Sequence, residues 1–164
     1  MLYLNLCSRL TIEPQTGRKV VLDRISSAEI SKTVEVLGDK ATVVIPKRYG
    51  DGKDELTSYI STGDKVRLEL GYNGDLKIEF EGYIREIESG FPMKLHLDDE
   101  TFLMRSNSFV KSWKTVKLKE VLEYIAPGYE IDCHDAELGK FQIDNQSTLT
   151  VLRALKERYG FYSA

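Results

Sequence analysis

The sequence is poor in the residues from which catalytic and metal sites are usually assembled. Its 164 residues include two histidines and two cysteines, so a metal cage or a Cys–His pair would require improbable convergence. Long apolar runs are missing too, and no stretch approaches the roughly 20 residues that a membrane helix requires. The first twelve residues have no basic lead, and Asn5, Ser8 and Arg9 interrupt their apolar positions. That excludes a signal peptide on this reading and places synthesis in the cytoplasm. A basic excess is likewise absent: 23 Lys and Arg stand against 26 Asp and Glu, a formal charge of -3. Nucleic acid or a membrane surface is therefore not the expected partner. Cys7 and Cys133 lie far apart; a disulfide is formally open to them, but two cysteines without a secretion signal favour thiols in a reducing cytosol. No serine nucleophile elbow, paired-carboxylate motif, dinucleotide fingerprint, internal repeat or low-complexity tract is visible. What is present is ordinary for a soluble globular protein, with 41% hydrophobic and 30% charged residues. The length suffices for one domain, or for a small one plus part of another.

The first hundred residues have a period of two, which sends alternate side chains to opposite faces of a strand. Leu2, Leu4, Leu6, Leu10 and Ile12 share one parity, and Ala28, Ile30, Val34 and Val36 repeat the pattern. Lys32 interrupts it, as at a sheet edge or a channel-facing position. Gly38-Asp39 then breaks the run, and Ala41 to Ile45 forms a short, nearly continuous apolar strand closed by Pro46. The clearest element is a hairpin. Val66, Leu68 and Leu70 alternate with charged residues, as do Leu76, Ile78 and Phe80, and all six are expected to face one core. Asn73-Gly74 between the arms suits the positive φ angles of a tight turn. Ile87 falls out of phase with Gly82 and Ile84, so a bulge is expected near Gly82 to Glu86. Met93, Leu95 and Leu97 complete one more strand. Several short strands separated by turns predict a small barrel or sandwich.

Near residue 110 the period changes. Leu118, Val121, Leu122 and Ile125 form one helical stripe that Pro127-Gly128 terminates. A short extended piece is expected around Tyr129 to His134. A second helix follows, capped by Ser147 or Thr148, burying Leu149, Leu152, Leu155 and Tyr159 and ending at Gly160. Phe161 and Tyr162 read as the start of another strand at which the chain stops, as in a truncated domain. The fold class expected is mainly β with an α+β extension: a β-barrel over residues 1–105, then the beginning of a second α+β domain over 106–164, with the junction near Ser106 to Trp113.

Each chemical constellation has a plainer reading. Neighbours on an extended strand face opposite sides, so Cys133 and His134 in Cys133-His134-Asp135 cannot readily meet as nucleophile and base; a partly buried thiol and an exposed imidazole are expected. His96-Leu97-Asp98-Asp99-Glu100 lacks the ligand spacing of a calcium or zinc site and reads as an exposed acidic strand end. Gly50-Asp51-Gly52-Lys53 lacks the spacing of a phosphate loop, and Asp54 follows its lysine, so it reads as a turn. Lys111, Lys114, Lys117 and Lys119 around Trp113 could stack bases and hold phosphates, yet a solvated face of an amphipathic helix accounts for Lys117 and Lys119. No catalytic, cofactor-binding or metal-ligating residue is assigned.

Gly63-Asp64-Lys65-Val66-Arg67-Leu68-Glu69-Leu70-Gly71-Tyr72, continuing through Leu76-Lys77-Ile78-Glu79-Phe80-Glu81-Gly82-Tyr83-Ile84, resembles a signature of the late-control protein D family of phage tails, with related baseplate hubs and type VI secretion spike proteins. In that family a "GDxV-L-L-GY" strand pairs with an "F-GyI" strand inside a β-barrel. Ile30 to Pro46 is similar in placement to the preceding hairpin. Lys117 to Leu122 and Leu149 to Gly160 resemble the two helices that open the second domain. The resemblance spans nearly the whole chain and rests on the order of the pieces, although family members run well past this length. It implies a structural, non-enzymatic subunit of a phage tail or phage-like injection machine. Such a hub subunit self-associates, commonly as a trimer, joins tail tube to spike or tail tip, and ends in the virion or particle. It supplies no catalytic residue and no cofactor. The alternative is a free-standing small-barrel module that binds an oligosaccharide or oligonucleotide through exposed aromatics, with Tyr3, Tyr72 and Tyr83 as candidates. A tail-borne cell-wall hydrolase lacks any motif here.

Overall fold

The computed structural model describes residues 4–33, 37–46, 48–49 and 54–161. The chain divides into two compact units, Met1–Phe102 and Leu103–Ala164. In the first unit lie β1 (Leu6–Glu13), β2 (Val20–Leu22), β3 (Ser27–Ser31), β4 (Lys40–Ile45), β5 (Arg48–Tyr49), β6 (Asp54–Glu55), β7 (Lys65–Tyr72), β8 (Asp75–Glu88) and β9 (Met93–Asp98). Seven of them form one antiparallel sheet in the order β2-β1-β7-β8-β9-β4-β3, while β5 and β6 pair separately.

The connection between β2 and β3 fixes the form of this sheet. The two strands are its opposite edges, yet only residues 23–26 join them. Six inter-strand spacings would set the edges of a flat sheet about 29 Å apart, whereas the five steps from Leu22 to Ser27 reach at most about 18 Å. The sheet must therefore curl until its edges approach. The link is held on both sides of the seam: Ile25 N–H donates to Ser8 Oγ in β1 at 3.3 Å, and Ser26 N–H to the Val44 carbonyl in β4 at 2.7 Å. Leu10, Ile12, Val43, Leu68, Ile84, Met93 and Leu95 share a single core on the concave side. Among the described residues no ladder joins β2 to β3. The mainly-β unit expected from periodicity is thus a curled sheet, and its ladder is not closed into a barrel. The reason is local: β2 is three residues long, and the link occupies the seam.

Parity is set by two bulges in β8. The hairpin turns at Asn73 (φ 55°) and Gly74 (φ 89°), the two-residue form that matches strand twist. Its register pairs Leu70 with Lys77 and Glu69 with Ile78, but then Leu68 with Phe80, so Glu79 is an extra residue. Consequently Phe80 is buried while Ile78, expected in the core, is 53% exposed; Leu70 and Leu76 are half-buried. Arg85 is extra between the pairs Ile84–Leu97 and Glu86–His96. This is the bulge expected near Gly82 to Glu86, and it turns Ile87 back toward the core. At Gly82 the backbone of Asp98 and Asp99 comes so close that a Cβ would overlap it. β4 alternates instead of running continuously apolar, with Ala41, Val43 and Ile45 buried and Thr42 and Val44 half-exposed. Leu4 and Leu6, expected in the core, are exposed, while Leu2, Val34 and Val36 lie outside the described residues. Lys32 falls just after the edge strand β3.

The second unit holds β10 (Phe109–Lys117), α1 (Leu118–Ile125), β11 (Glu137–Gln146) and α2 (Thr148–Tyr159). Residues 109–113, expected at a domain junction, belong to β10. Its antiparallel partner is β11, a strand that the sequence pattern does not mark, and residues 129–136 are irregular instead of extended. Its core combines Leu118, Val121 and Ile125 of α1, Phe141 and Ile143 of β11, and Val151 and Leu155 of α2. Ser147 Oγ accepts from Thr150 N–H at 3.3 Å and caps α2, which ends at Gly160 with φ 69°. Leu149 is buried; Leu152 and Tyr159 are half-buried. Phe161 is in no strand and stacks on Tyr159, with ring centroids 5.7 Å apart; Tyr162 lies outside the described residues. Among the described residues no helix is long and apolar enough to cross a membrane.

Candidate functional site

The long strand β8 serves two neighbours in succession. β7 pairs with it from Asp75 to Tyr83, and β9 from Tyr83 to Glu88. Between Asp75 and Gly82, the side of β8 away from β7 therefore has no strand partner among the described residues. An open groove of about 160 Å³ runs beside this edge. It is lined by Ile78, Glu79, Glu81 and the buried Phe80 on one side and by a wall of Lys32, Asp39 and Asp99 on the other, so its exposed surface is mostly charged.

That wall is fixed by a carboxylate. Asp99 Oδ2 accepts from Asp39 N–H at 2.7 Å, and Oδ1 accepts from Thr101 N–H at 2.9 Å and from its hydroxyl at 2.7 Å. Asp99 N–H in turn donates to the Asp39 carbonyl at 3.1 Å. Glu81 accepts from Arg67 Nε at 2.8 Å, and that contact raises the guanidinium pKa above its ordinary value. The lining is thus mostly charged, with Ile78 as its exposed apolar member and Phe80 buried in the core behind it.

Exposed apolar residues lie on the neighbouring strands. Leu4 is 66% exposed, Leu6 69% and Tyr72 55%, and Leu6 pairs directly with Tyr72. Asn73 N–H donates to the Asn5 carbonyl at 2.8 Å, and Asn5 N–H to Asn73 Oδ1 at 3.0 Å. With these bonds the start of the chain follows β7 to its turn. The β1–β7–β8 ladder thus continues past the core as a three-stranded tongue.

The residues singled out by sequence are scattered. Cys133 is half-buried against the second core and His134 is exposed, as expected, but both lie in an irregular segment and not on a strand. Asp135 instead pairs with Lys117 at 2.9 Å. His96 lies across β4 from its place in β9, with Nδ1 3.3 Å from Thr42 Oγ1 and Nε2 3.6 Å from Glu88. The acidic strand end His96–Glu100 is not simply exposed: Asp98 is 1% exposed and sits 3.3 Å from Arg85 Nε, because the Arg85 bulge brings that guanidinium to it. Among the described residues no group of three or more His, Cys, Asp or Glu is placed to hold a metal ion. The turn at residues 50–53 lies outside the described residues.

The basic, aromatic cluster is real but is built differently. Lys111 and Lys114 are on β10, Lys117 is its last residue, and only Lys119 is helical. Lys111 Nζ sits 4.8 Å from the Trp113 ring centre and 4.2 Å from that of Tyr124, so its charge is already engaged within the chain. Of the candidate aromatics, Tyr3 lies outside the described residues, and the other two face opposite sides of the sheet. Tyr72 shares a face with Leu6, whereas Tyr83 pairs with Lys65 and stacks on Phe102 at 5.6 Å.

No protein-family model matches the chain. A search of curated proteins finds no match either.

Proposed function

We propose that this chain is a structural subunit of a phage tail or phage-like contractile injection machine, a baseplate hub component that acts by assembly and not by catalysis. The observation that carries the reading is the tongue: strand edges that have no ladder partner among the described residues, with exposed apolar side chains, at one end of the first unit. Monomeric proteins blunt such edges, whereas assembling ones use them. The order of segments in the sequence supports the same reading, as does the resemblance of Gly63–Ile84 to the late-control protein D signature. On this reading the curled sheet is the family's small barrel, with residues 23–26 covering its seam. The subunits form a ring, commonly three, that connects tail tube to spike or tail tip. The chain is made in the cytoplasm and ends in the particle.

Light scattering on the complete gene product at several concentrations, alone and with the tail proteins encoded beside it, tests the reading. A discrete ring mass is expected. A strict monomer that also ignores those neighbours overturns it and promotes the small-barrel module binding an oligosaccharide or oligonucleotide.

A further inference from the structure

We propose that Asn73 is a modification site, at which the chain deamidates spontaneously, and that the folded tongue slows this reaction through its left-handed turn and the bond from Asn5 N–H. The proposal goes beyond the hub reading and stands whether or not the chain assembles.

The chemistry follows from Asn73-Gly74, the one Asn-Gly pair in the sequence. A backbone nitrogen that follows asparagine can attack the side-chain amide carbon, and glycine leaves that nitrogen unshielded because it has no Cβ. The bond from Gly74 N to Asn73 Cγ forms and the Cγ–Nδ2 bond breaks. Nδ2 leaves as ammonia, carrying the proton of the Gly74 amide, and a five-membered cyclic imide remains. Water then opens the ring. Attack at Cγ gives aspartate, and attack at the main-chain carbonyl carbon of residue 73 gives isoaspartate. The sum is an amide and water becoming an acid and ammonia, with no other reactant. Asn73 and Gly74 are both exposed, so water reaches them.

Two features of the fold oppose the first step. Asn73 has φ 55° and Gly74 φ 89°, the values of a type I′ turn, whose first central residue has ψ of about 30°. Around the Cα–C bond Cβ stands about 120° from the residue's own nitrogen, so at that ψ Gly74 N lies roughly 150° from Cβ. Ring closure needs the two nearly eclipsed. The pairing of Tyr72 with Asp75 across the turn holds the backbone away from that arrangement. The second feature is the side chain. Oδ1 accepts from Asn5 N–H at 3.0 Å, and Asn73 N–H donates to the Asn5 carbonyl at 2.8 Å. The amide carbon cannot swing onto Gly74 N until the Oδ1 bond opens.

That tie is held by little else. The ladder between β1 and β2 begins only at Leu10, and Leu4 and Leu6 are exposed. Segments with so few buried contacts open at low free energy, so conversion at Asn73 records how often the start of the chain leaves β7. The two products differ in effect. Aspartate keeps an oxygen to accept from Asn5 N–H. Isoaspartate adds a methylene to the main chain, and a two-residue turn no longer joins Tyr72 to Asp75.

The experiment incubates the full chain at mildly alkaline pH and follows residue 73 by peptide mapping with mass detection and isoaspartate-specific labelling. Wild type in buffer is compared with wild type in concentrated urea, with Asn5→Pro, which lacks the donating N–H, and with Asn5→Ala, which keeps it. Native wild type is expected to convert about tenfold more slowly than the unfolded chain. Asn5→Pro should be about threefold faster than native wild type, with unchanged circular dichroism, and Asn5→Ala should match wild type. Hydrogen exchange on wild type reads the same bond without a variant: the Asn5 amide should be protected relative to the unfolded chain. Equal conversion in buffer and urea overturns protection by the fold. An unprotected Asn5 amide, a folded Asn5→Pro no faster than wild type, or an Asn5→Ala as fast as Asn5→Pro overturns the part assigned to Asn5.

Discussion

The ladder formed by β1, β7 and β8 has two halves built on the same pattern, and they meet opposite fates. In one half Leu10, Leu68 and Phe80 line up across the three strands and are sealed in the core. Toward the other end, Leu6 and Tyr72 repeat that pairing four residue pairs on, and both are exposed. Along β1 and β7 the strands and the parity are the same. What differs is whether anything lies opposite: β2, β9 and β4 curl over the first half and stop short of the second. Alternation thus reports which face a residue occupies, while burial also needs a second layer to close on it.

The sharpest way to break the contrast is to shave one side chain in each half. Leu68→Ala should lower unfolding free energy by about 2–5 kcal/mol, because it opens a cavity in a packed core. The fork where the halves diverge comes next. Asp98→Ala leaves the Arg85 guanidinium without its buried counter-charge and should cost about 1–3 kcal/mol, the range for a buried polar group that loses its partner. Gly82→Ala forces a Cβ into the Asp98 backbone and should cost about 1–3 kcal/mol through overpacking. Ile78→Ala, on the open half, should stay within about 0.5 kcal/mol of wild type; a loss as large as that of Leu68→Ala would mean that Ile78 is covered. Chemical denaturation of each variant, compared at constant m-value, reads all four.

The smallest effect is a pH dependence on the outer face of the closed half. Hydrogen bonding and attraction from Lys94, with a lesser part from His96, hold the Glu88 carboxyl below the ordinary carboxylate range. A depressed folded-state pKa contributes stability that is present above the unfolded value and is lost as pH falls through the folded one. Glu88→Gln should therefore flatten the acid limb of the stability profile slightly, and 1 M salt should shrink the difference, since the group is exposed to solvent.

Most elements of the first unit were legible because alternation over Val66–Leu70 and Met93–Leu97 is strict. The position of Ile78 was legible too, by arithmetic that the alternation concealed. A two-residue loop at Asn73-Gly74 makes paired positions sum to an odd number, so an even-numbered Leu68 must first meet an odd-numbered Glu79. Both arms carry their apolar residues at even positions, and one extra residue is required to reconcile them. Glu79 is that residue. By contrast, nothing in the sequence announces the burial of Asp98, which depends on the Arg85 bulge delivering a guanidinium. Nor does it announce β11: Leu138, Phe141 and Ile143 break period two because Gly139, at φ 67°, lies where its pairing with β10 is irregular. The groove was hidden for a different reason. It is made by the parting of β8 from β9, and a parting of strands leaves no mark on either of them.

The same sheet order constrains how the chain can be made. β1 finds its principal partner in β7, with Glu13 opposite Lys65 and Leu6 opposite Tyr72. On a ribosome the chain emerges from its first residue, at about 5–20 residues per second. The earliest strand therefore waits through several seconds of synthesis, with only the three-residue β2 available to pair with it. During that interval Leu10 and Ile12 are as naked as Leu4 and Leu6 remain in the finished fold. The nascent protein accordingly exposes this apolar segment before β7, the strand that shelters it, has been made.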